Sequence, residues 1–159
     1  MTERNMETGE TVASAPSPYI LFNVAGATYA LPSRQVRHVE MVEQVTSVPN
    51  AAPFVEGVVF SRGQVVPVIN LRVRFGFERG RPDLRARLLV VEDAGRMVGL
   101  LADEAREFMP IQDAAIHPPS DAIDGLGGNY LEGVAMLDDR IVLILNLTRV
   151  LGAVASVAS

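Results

Sequence analysis

Two stretches of this chain are copies of one another. Phe54–Leu71 reads FVEGVVFSRGQVVPVINL, and Tyr130–Leu147, offset by 76 residues, reads YLEGVAMLDDRIVLILNL. Six of the eighteen positions are identical without a gap: Glu56/Glu132, Gly57/Gly133, Val58/Val134, Val66/Val142, Asn70/Asn146 and Leu71/Leu147. Unrelated segments of ordinary composition would share about one. A weaker echo, offset by 69, aligns Leu21–Val39 with Val90–Phe108, each carrying an Ala-Gly turn at Ala25-Gly26 and Ala94-Gly95. Such a chain is one β unit made twice, over roughly 19–75 and 87–151. Each unit carries an apolar face, and the two stabilise each other by burying those faces together. The expected architecture is mostly β: two small barrels around a shared interior.

The local pattern agrees. After Pro18, runs of four to eight residues rich in Val, Ile and Leu alternate with turn residues, which is the rhythm of strands. Strands are expected at Tyr19–Val24, Thr28–Leu31 and Val36–Val42, with another run over Gln44–Val48 that Pro49–Pro53 breaks. Val55–Ser61 and Gln64–Asn70 flank Arg62-Gly63 as a tight hairpin, and Leu71–Phe75 forms one helical turn. Gly76–Ala86 is a loop. Strands resume at Arg87–Glu92, Arg96–Ala102 and Ala105–Ile111. Gln112–Asn129 is too polar and broken for core. A last hairpin joins Leu131–Leu137 to Arg140–Asn146, and Leu147–Leu151 starts a short C-terminal helix. Residues 1–18 are expected to be a flexible leader and 152–159 a frayed tail.

Composition narrows the chemistry. The chain has no cysteine, which excludes disulfide scaffolds, thiolate metal sites and cysteine nucleophiles. Its net charge of −5 argues against non-specific nucleic-acid binding. No run reaches the length of a membrane span and no signal-peptide core precedes Pro18, so a cytoplasmic protein is expected. Glu56 and Glu132 occupy matching places in the repeat, which raises a small acid hydrolase with paired carboxylates sharing a proton. Neither carries the Asp-[Thr/Ser]-Gly turn of that class, and Glu-Gly at a strand start is more simply a bend. Gly125-Leu126-Gly127-Gly128 lacks the strand before and helix after that a phosphate cradle requires, so it reads as a linker. Arg79, Arg81, Arg85 and Arg87 form a basic patch without interleaved aromatics: a solvated loop, or a surface for an acidic protein partner. Where the copies differ, Ser61-Arg62-Gly63-Gln64 faces Leu137-Asp138-Asp139-Arg140 at the hairpin tip. Arg62 is thus either a solvated turn residue or an exposed recognition anchor on a stiff ribbon. Neither a nucleophile nor a metal or cofactor cradle emerges, which favours an interaction module.

Phe54–Gly76, FVEGVVFSRGQVVPVINLRVRFG, closely resembles the signature of the CheW-like domain of bacterial chemotaxis coupling proteins. The resemblance continues through Met97–Asp103, Ile116-His117-Pro118 and Tyr130–Leu151, covering nearly all of 19–151. It implies two SH3-like five-stranded β-barrel subdomains and a non-catalytic adaptor without cofactor or metal. It further implies two partners, the cytoplasmic tip of chemoreceptors and the regulatory domain of a CheA-type histidine kinase, with recruitment to receptor arrays at the inner face of the membrane. The protein is expected to be a monomer in isolation and to form arrays with its partners, with no receiver or kinase domain fused to it. Alternatives that keep the family are an adaptor of a non-motility pathway and a free kinase-binding modulator. Residue by residue, Val36 and Val39 match positions lining the receptor groove, joined by Arg62, Val98 and Met109. Gly57, Arg62, His117 and Ala122 match coupling or kinase-contact positions. The chain departs from the pattern at Asn70, where Asp is usual, at Ser61, where a small or apolar residue often precedes Arg, and at His38, where an acid is common. His117 and Ala122 stand where many members carry Arg and an aromatic.

Overall fold

Among the described residues, β-branched and aliphatic runs bounded by turn residues become eleven strands and two short α-helices. The computed structural model describes residues 16–120 and 128–152. In chain order the strands are β1 (Ser17–Val24), β2 (Ala27–Pro32), β3 (Val36–Met41), β4 (Val55–Ser61) and β5 (Gln64–Asn70), then helix α1 (Leu71–Arg74). β6 (Arg87–Asp93), β7 (Arg96–Ala102), β8 (Glu104–Ile111), β9 (Ile116–His117), β10 (Leu131–Leu137), β11 (Arg140–Leu145) and helix α2 (Leu147–Leu151) follow. None of the described helices is long and apolar enough to cross a membrane.

The strands form two sheets, in the orders β8-β1-β2-β11-β10-β9 and β3-β6-β7-β5-β4. These sheets do not follow the two halves of the chain. The hairpin β1–β2 leaves its own half and joins β8–β11, while β6–β7 joins β3–β5. This corrects the expectation that 19–75 and 87–151 each close on themselves. The joints are the parallel pairs β2·β11 and β5·β7, with Ala30 opposite Ile144 and Gly99 opposite Val68. Those two pairs are the same joint made twice. Adding 69 to Ala30 gives Gly99, and subtracting 76 from Ile144 gives Val68. Both sequence echoes are therefore real in space, and they relate two interlocked sheets.

Burial explains why many strands read as continuous apolar runs and not as alternation. Along β1, Ile20, Phe22 and Val24 enter a central core shared by both sheets, while Tyr19 and Leu21 enter a smaller core belonging to the first sheet. Along β6, Leu89 and Val91 enter the shared core while Leu88 and Val90 enter the second sheet's own core. These two strands are therefore buried on both of their faces.

Local devices fix the ends. Asn70 and Asn146 cap α1 and α2 through the same contact, their side-chain oxygens accepting from Val73 N at 3.3 Å and Arg149 N at 3.0 Å. Arg74 joins the two copies. Its guanidinium lies 4.1 Å from the Phe54 ring centre and 4.9 Å from that of Tyr130, which are equivalent residues of the repeat. Its Nε donates to the carbonyl of Val150 near the end of α2 at 2.8 Å. Arg72 grips Asp103 with a two-pronged contact of 2.9 and 2.8 Å, and the same carboxylate accepts from Ala25 N in the β1–β2 turn. That fork holds the Arg72 guanidinium protonated more firmly than usual.

Two expectations fail locally. Gln44–Val48 is not a strand: it touches β4 through one bridge, Thr46 to Val58, before Pro49 prevents further pairing. Gln112–Asn129 is not wholly outside the sheets, since β9 within it pairs with β10 through Ile116 and His117. These are again one feature made twice, a short segment laid against the first strand of the repeated hairpin. The Glu-Gly pair that both copies carry allows it. β4 and β10 each carry a register shift at Gly57 and Gly133, and a Cβ on Gly57 would stand 2.0 Å from Thr46 O, on Gly133 2.5 Å from the Ile116 side chain.

Candidate functional site

The candidate surface is assembled on the second sheet. β3, its outer strand, pairs with β6 so that Val36 faces Val91 and Val39 faces Leu89. Val91 faces Val98 on β7 in turn. Val36, Val91 and Val98 thus form one row across three strands. Val36 and Val39 are half-buried and rest against the shared core. Val98 is 1% exposed, inside that core. It supports the row from beneath and offers a partner no surface, which corrects its expected place on a groove wall. Its burial follows from β7 being covered on both faces.

Arg62 stands at the tip of the β4–β5 hairpin, exposed, with φ of 50°, followed by Gly63 at 83°. Two positive φ angles in succession are what a tight two-residue hairpin of this hand requires. Gly57 lies buried at the base of the same ribbon, against Thr46. Met109 and His117 belong to the other sheet. Met109 is half-buried on β8 beside Arg140, whose Nη2 lies 3.9 Å from its sulfur, and His117 is exposed on β9. Ala122 lies outside the described residues. The expected groove residues therefore divide between two sheets, and only Val36 and Val98 share one row.

The paired carboxylates have separate company. Glu56 accepts from Asn70 Nδ2 at 3.1 Å and is ion-paired with Arg79, whose other prong donates to Pro53 O at 2.8 Å. Glu132 is exposed on β10 of the other sheet, where its charge, after burial and Asp113, helps push the Tyr19 hydroxyl above its ordinary pKa. The proton-sharing pair that an acid hydrolase needs is not formed among the described contacts. The basic loop is similarly engaged: besides Arg79, Arg85 pairs with Asp83 at 3.0 Å and Arg87 donates to the carbonyls of Leu84 and Ala86.

The structure adds residues that sequence reading missed. Phe60 and Val65, directly opposite one another across the β4–β5 hairpin, are 76% and 66% exposed. Their equivalents Met136 and Ile141 are opposite one another on β10–β11 and are also exposed. Beside Phe60 and Val65 opens a groove of about 570 Å³, lined also by Glu40, Met41, Glu43 and Thr46. The available signal was the repeat itself, which places an apolar residue at the solvent-facing step of both hairpins. Chance exposure of one large apolar residue is ordinary, but an opposed pair repeated on two equivalent hairpins is a built surface.

Residues 18–155 match the family model of the CheW-like domain. The chain belongs to the CheW-like family. It is 26% identical to the chemotaxis protein CheW of Klebsiella aerogenes over 145 residues, 91% of this chain and 86% of that protein. It is 29% identical to the chemotaxis protein CheW of Helicobacter pylori over 133 residues, covering 84% and 80% of the two chains. Among solved structures it resembles the scaffolding protein TtCheW of Thermoanaerobacter tengcongensis, with a TM-score of 0.77 and 31% identity over 83% of this chain and 85% of that one. CheW-like membership makes this chain a chemotaxis coupling scaffold.

Proposed function

We propose that this CheW-like chain joins the cytoplasmic tip of a chemoreceptor to the regulatory domain of a CheA-type histidine kinase, acting at the inner face of the membrane and making or breaking no covalent bond. The observation that carries this reading is the pair of equivalent hairpins, Phe60/Val65 and Met136/Ile141, each presenting opposed apolar side chains to solvent. A scaffold that must be held from two directions needs two such faces, and buried apolar anchors supply most of the energy of protein association. Val36 and Val39, half-buried on β3, with Met109 on the other sheet, form the receptor side. Arg62 on its hairpin, the buried Gly57 at that hairpin's base, His117 and Ala122 serve coupling and kinase contact. Each contact is of the transient signalling kind, burying on the order of 1,200 Å² or somewhat more.

Co-sedimentation with receptor tips and kinase from the same genome tests the reading. Arg62→Ala is expected to unfold as cooperatively as the parent yet to be recovered in the pellet with an affinity roughly five- to hundredfold lower, the range of an interface anchor. Val36→Glu places a charge against apolar surface and is expected to reduce receptor recovery while kinase binding persists. Arg62→Ala pelleting like the parent would refute the role of Arg62. Equal loss of both partners in Val36→Glu would identify misfolding instead.

A further inference from the structure

β3 and β4 are the two outermost strands of the second sheet, and no backbone ladder joins them. Side chains join them instead. Ser61, the last residue of β4, donates from Oγ to Glu40 Oε2 at 2.6 Å. His38 Nε2 lies 2.5 Å from the same carboxylate oxygen and 3.3 Å from Ser61 Oγ. At that distance the imidazole and the carboxylate are in direct hydrogen-bonding contact. Ser61 is 6% exposed, and the His38 and Glu40 side chains are largely shielded, so water competes poorly for these bonds. Two of the three residues, His38 and Ser61, are places where the chain departs from the pattern it resembles.

The other sheet fills the equivalent places differently. Adding 69 to His38 and Glu40, and 76 to Ser61, gives Glu107, Met109 and Leu137. Met109 and Leu137 are partly buried apolar residues packed against the first sheet's own core. The first sheet thus has apolar side chains at the places of Glu40 and Ser61, with a loose, part-exposed Arg140–Glu107 ion pair of 3.8 Å beside them, where the second has short, shielded hydrogen bonds. The hydrogen-bonded version is the one whose next residue is Arg62, where the copy has Asp138. A hydrogen-bonded junction fixes an angle that an apolar contact leaves looser, and a contact residue fixed beforehand loses less freedom on binding.

We infer that His38, Glu40 and Ser61 form a clasp that positions Arg62, tying its hairpin to the strand that carries Val36 and Val39. The three are positioning residues, acting through Arg62, and the inference rests on the coupling role given to Arg62 above. Ser61 is the residue to change, because Glu40 also lines the neighbouring groove.

The test is a double-mutant cycle read by co-sedimentation with receptor tips and kinase, with urea unfolding as the check on folding. Ser61→Ala is expected to weaken recovery roughly three- to tenfold, the worth of one or two shielded hydrogen bonds. The same change made on Arg62→Ala is expected to have no added effect, and Ser61→Thr, which keeps the hydroxyl, to restore binding. Ser61→Leu, borrowing the residue of the other copy, is expected to keep cooperative unfolding while binding like Ser61→Ala. Hydrogen exchange at the Arg62–Gln64 amides is expected to quicken in Ser61→Ala and to recover in Ser61→Thr. If Ser61→Ala weakens binding by the same factor with and without Arg62, or leaves binding and exchange unchanged, the clasp does not position Arg62. If Arg62→Ala alone is inert, it is the coupling role of Arg62 that fails, and the inference falls with it.

Discussion

Gly57→Ala separates the two costs that this fold places on one residue. Gly57 has φ of 146°, and an added Cβ would stand 2.0 Å from Thr46 O, 2.7 Å from Thr46 C and 3.1 Å from Ser47 Cα. All three obstacles are backbone, so no side chain can rotate aside. The segment around Thr46 must lift off β4, breaking the reciprocal bonds Thr46 N to Val58 O at 2.9 Å and Val58 N to Thr46 O at 2.8 Å. Two net hydrogen bonds contribute about 1–3 kcal/mol. The unfavourable backbone angle adds about 1–2 kcal/mol. The total, about 2–5 kcal/mol, is a large part of the roughly 5–15 kcal/mol by which domains are stable. Gly63→Ala is the control: it has φ of 83° and nothing within 4 Å of the added carbon, so it bears the backbone cost alone. Urea unfolding of both variants, with the slope checked for constancy, measures the difference. Equal losses in the two would show that the approach of Thr46 is not what requires glycine at position 57.

Arg74→Met, which keeps an unbranched stem but removes the cation from between Phe54 and Tyr130, is expected to lose about 1–3 kcal/mol of stability by urea unfolding, through lost cation–π contact and the unanswered Val150 carbonyl. Asn146→Ala removes the acceptor for Arg149 N and is expected to cost about 1 kcal/mol, whereas Asn70→Ala should cost more, because its amide also donates to Glu56. Burial raises the Tyr29 hydroxyl well above its ordinary pKa of 10.0. A raised folded value means that the folded state holds its proton longer than the unfolded one. That contribution is therefore complete below about pH 10 and is lost as pH rises beyond it. Absorbance at alkaline pH should show Tyr29 ionising only together with unfolding, and normal reversible ionisation of all three tyrosines in the folded protein would contradict its burial.

The elements that sequence reading located well are those with local causes. β4 and β5 begin and end where the Arg62-Gly63 turn and the flanking apolar runs place them, and both helices start after an Asn whose side chain caps them. What was not legible is which hairpin joins which sheet, because the deciding parallel pairs, Ala30 with Ile144 and Val68 with Gly99, leave no mark on nearby residues. The short paired segments around Thr46 and Ile116 were also obscured. One looked like a strand and the other like a loop, and each is held by a glycine far along the chain. Of the expected receptor-side residues, Val36 and Val39 came from the resemblance alone, and they fall half-buried on β3 against the shared core. Val98 was misplaced because a strand covered on both faces gives no alternation to distinguish core from rim. His38, Glu40 and Ser61 could not be joined by reading alone, since their contact crosses a gap of about twenty residues and depends on the curl of the sheet.

The crossing of hairpins between halves bears on how such a molecule arises and comes apart. Neither half can complete a sheet from its own strands, so a precursor half the length would have had to fold as two intertwined chains, and joining their genes would have turned an obligate pair into one polypeptide. Severing the present chain within residues 76–86 should reverse that history, yielding two pieces that are unstructured apart and regain strand signal only on mixing.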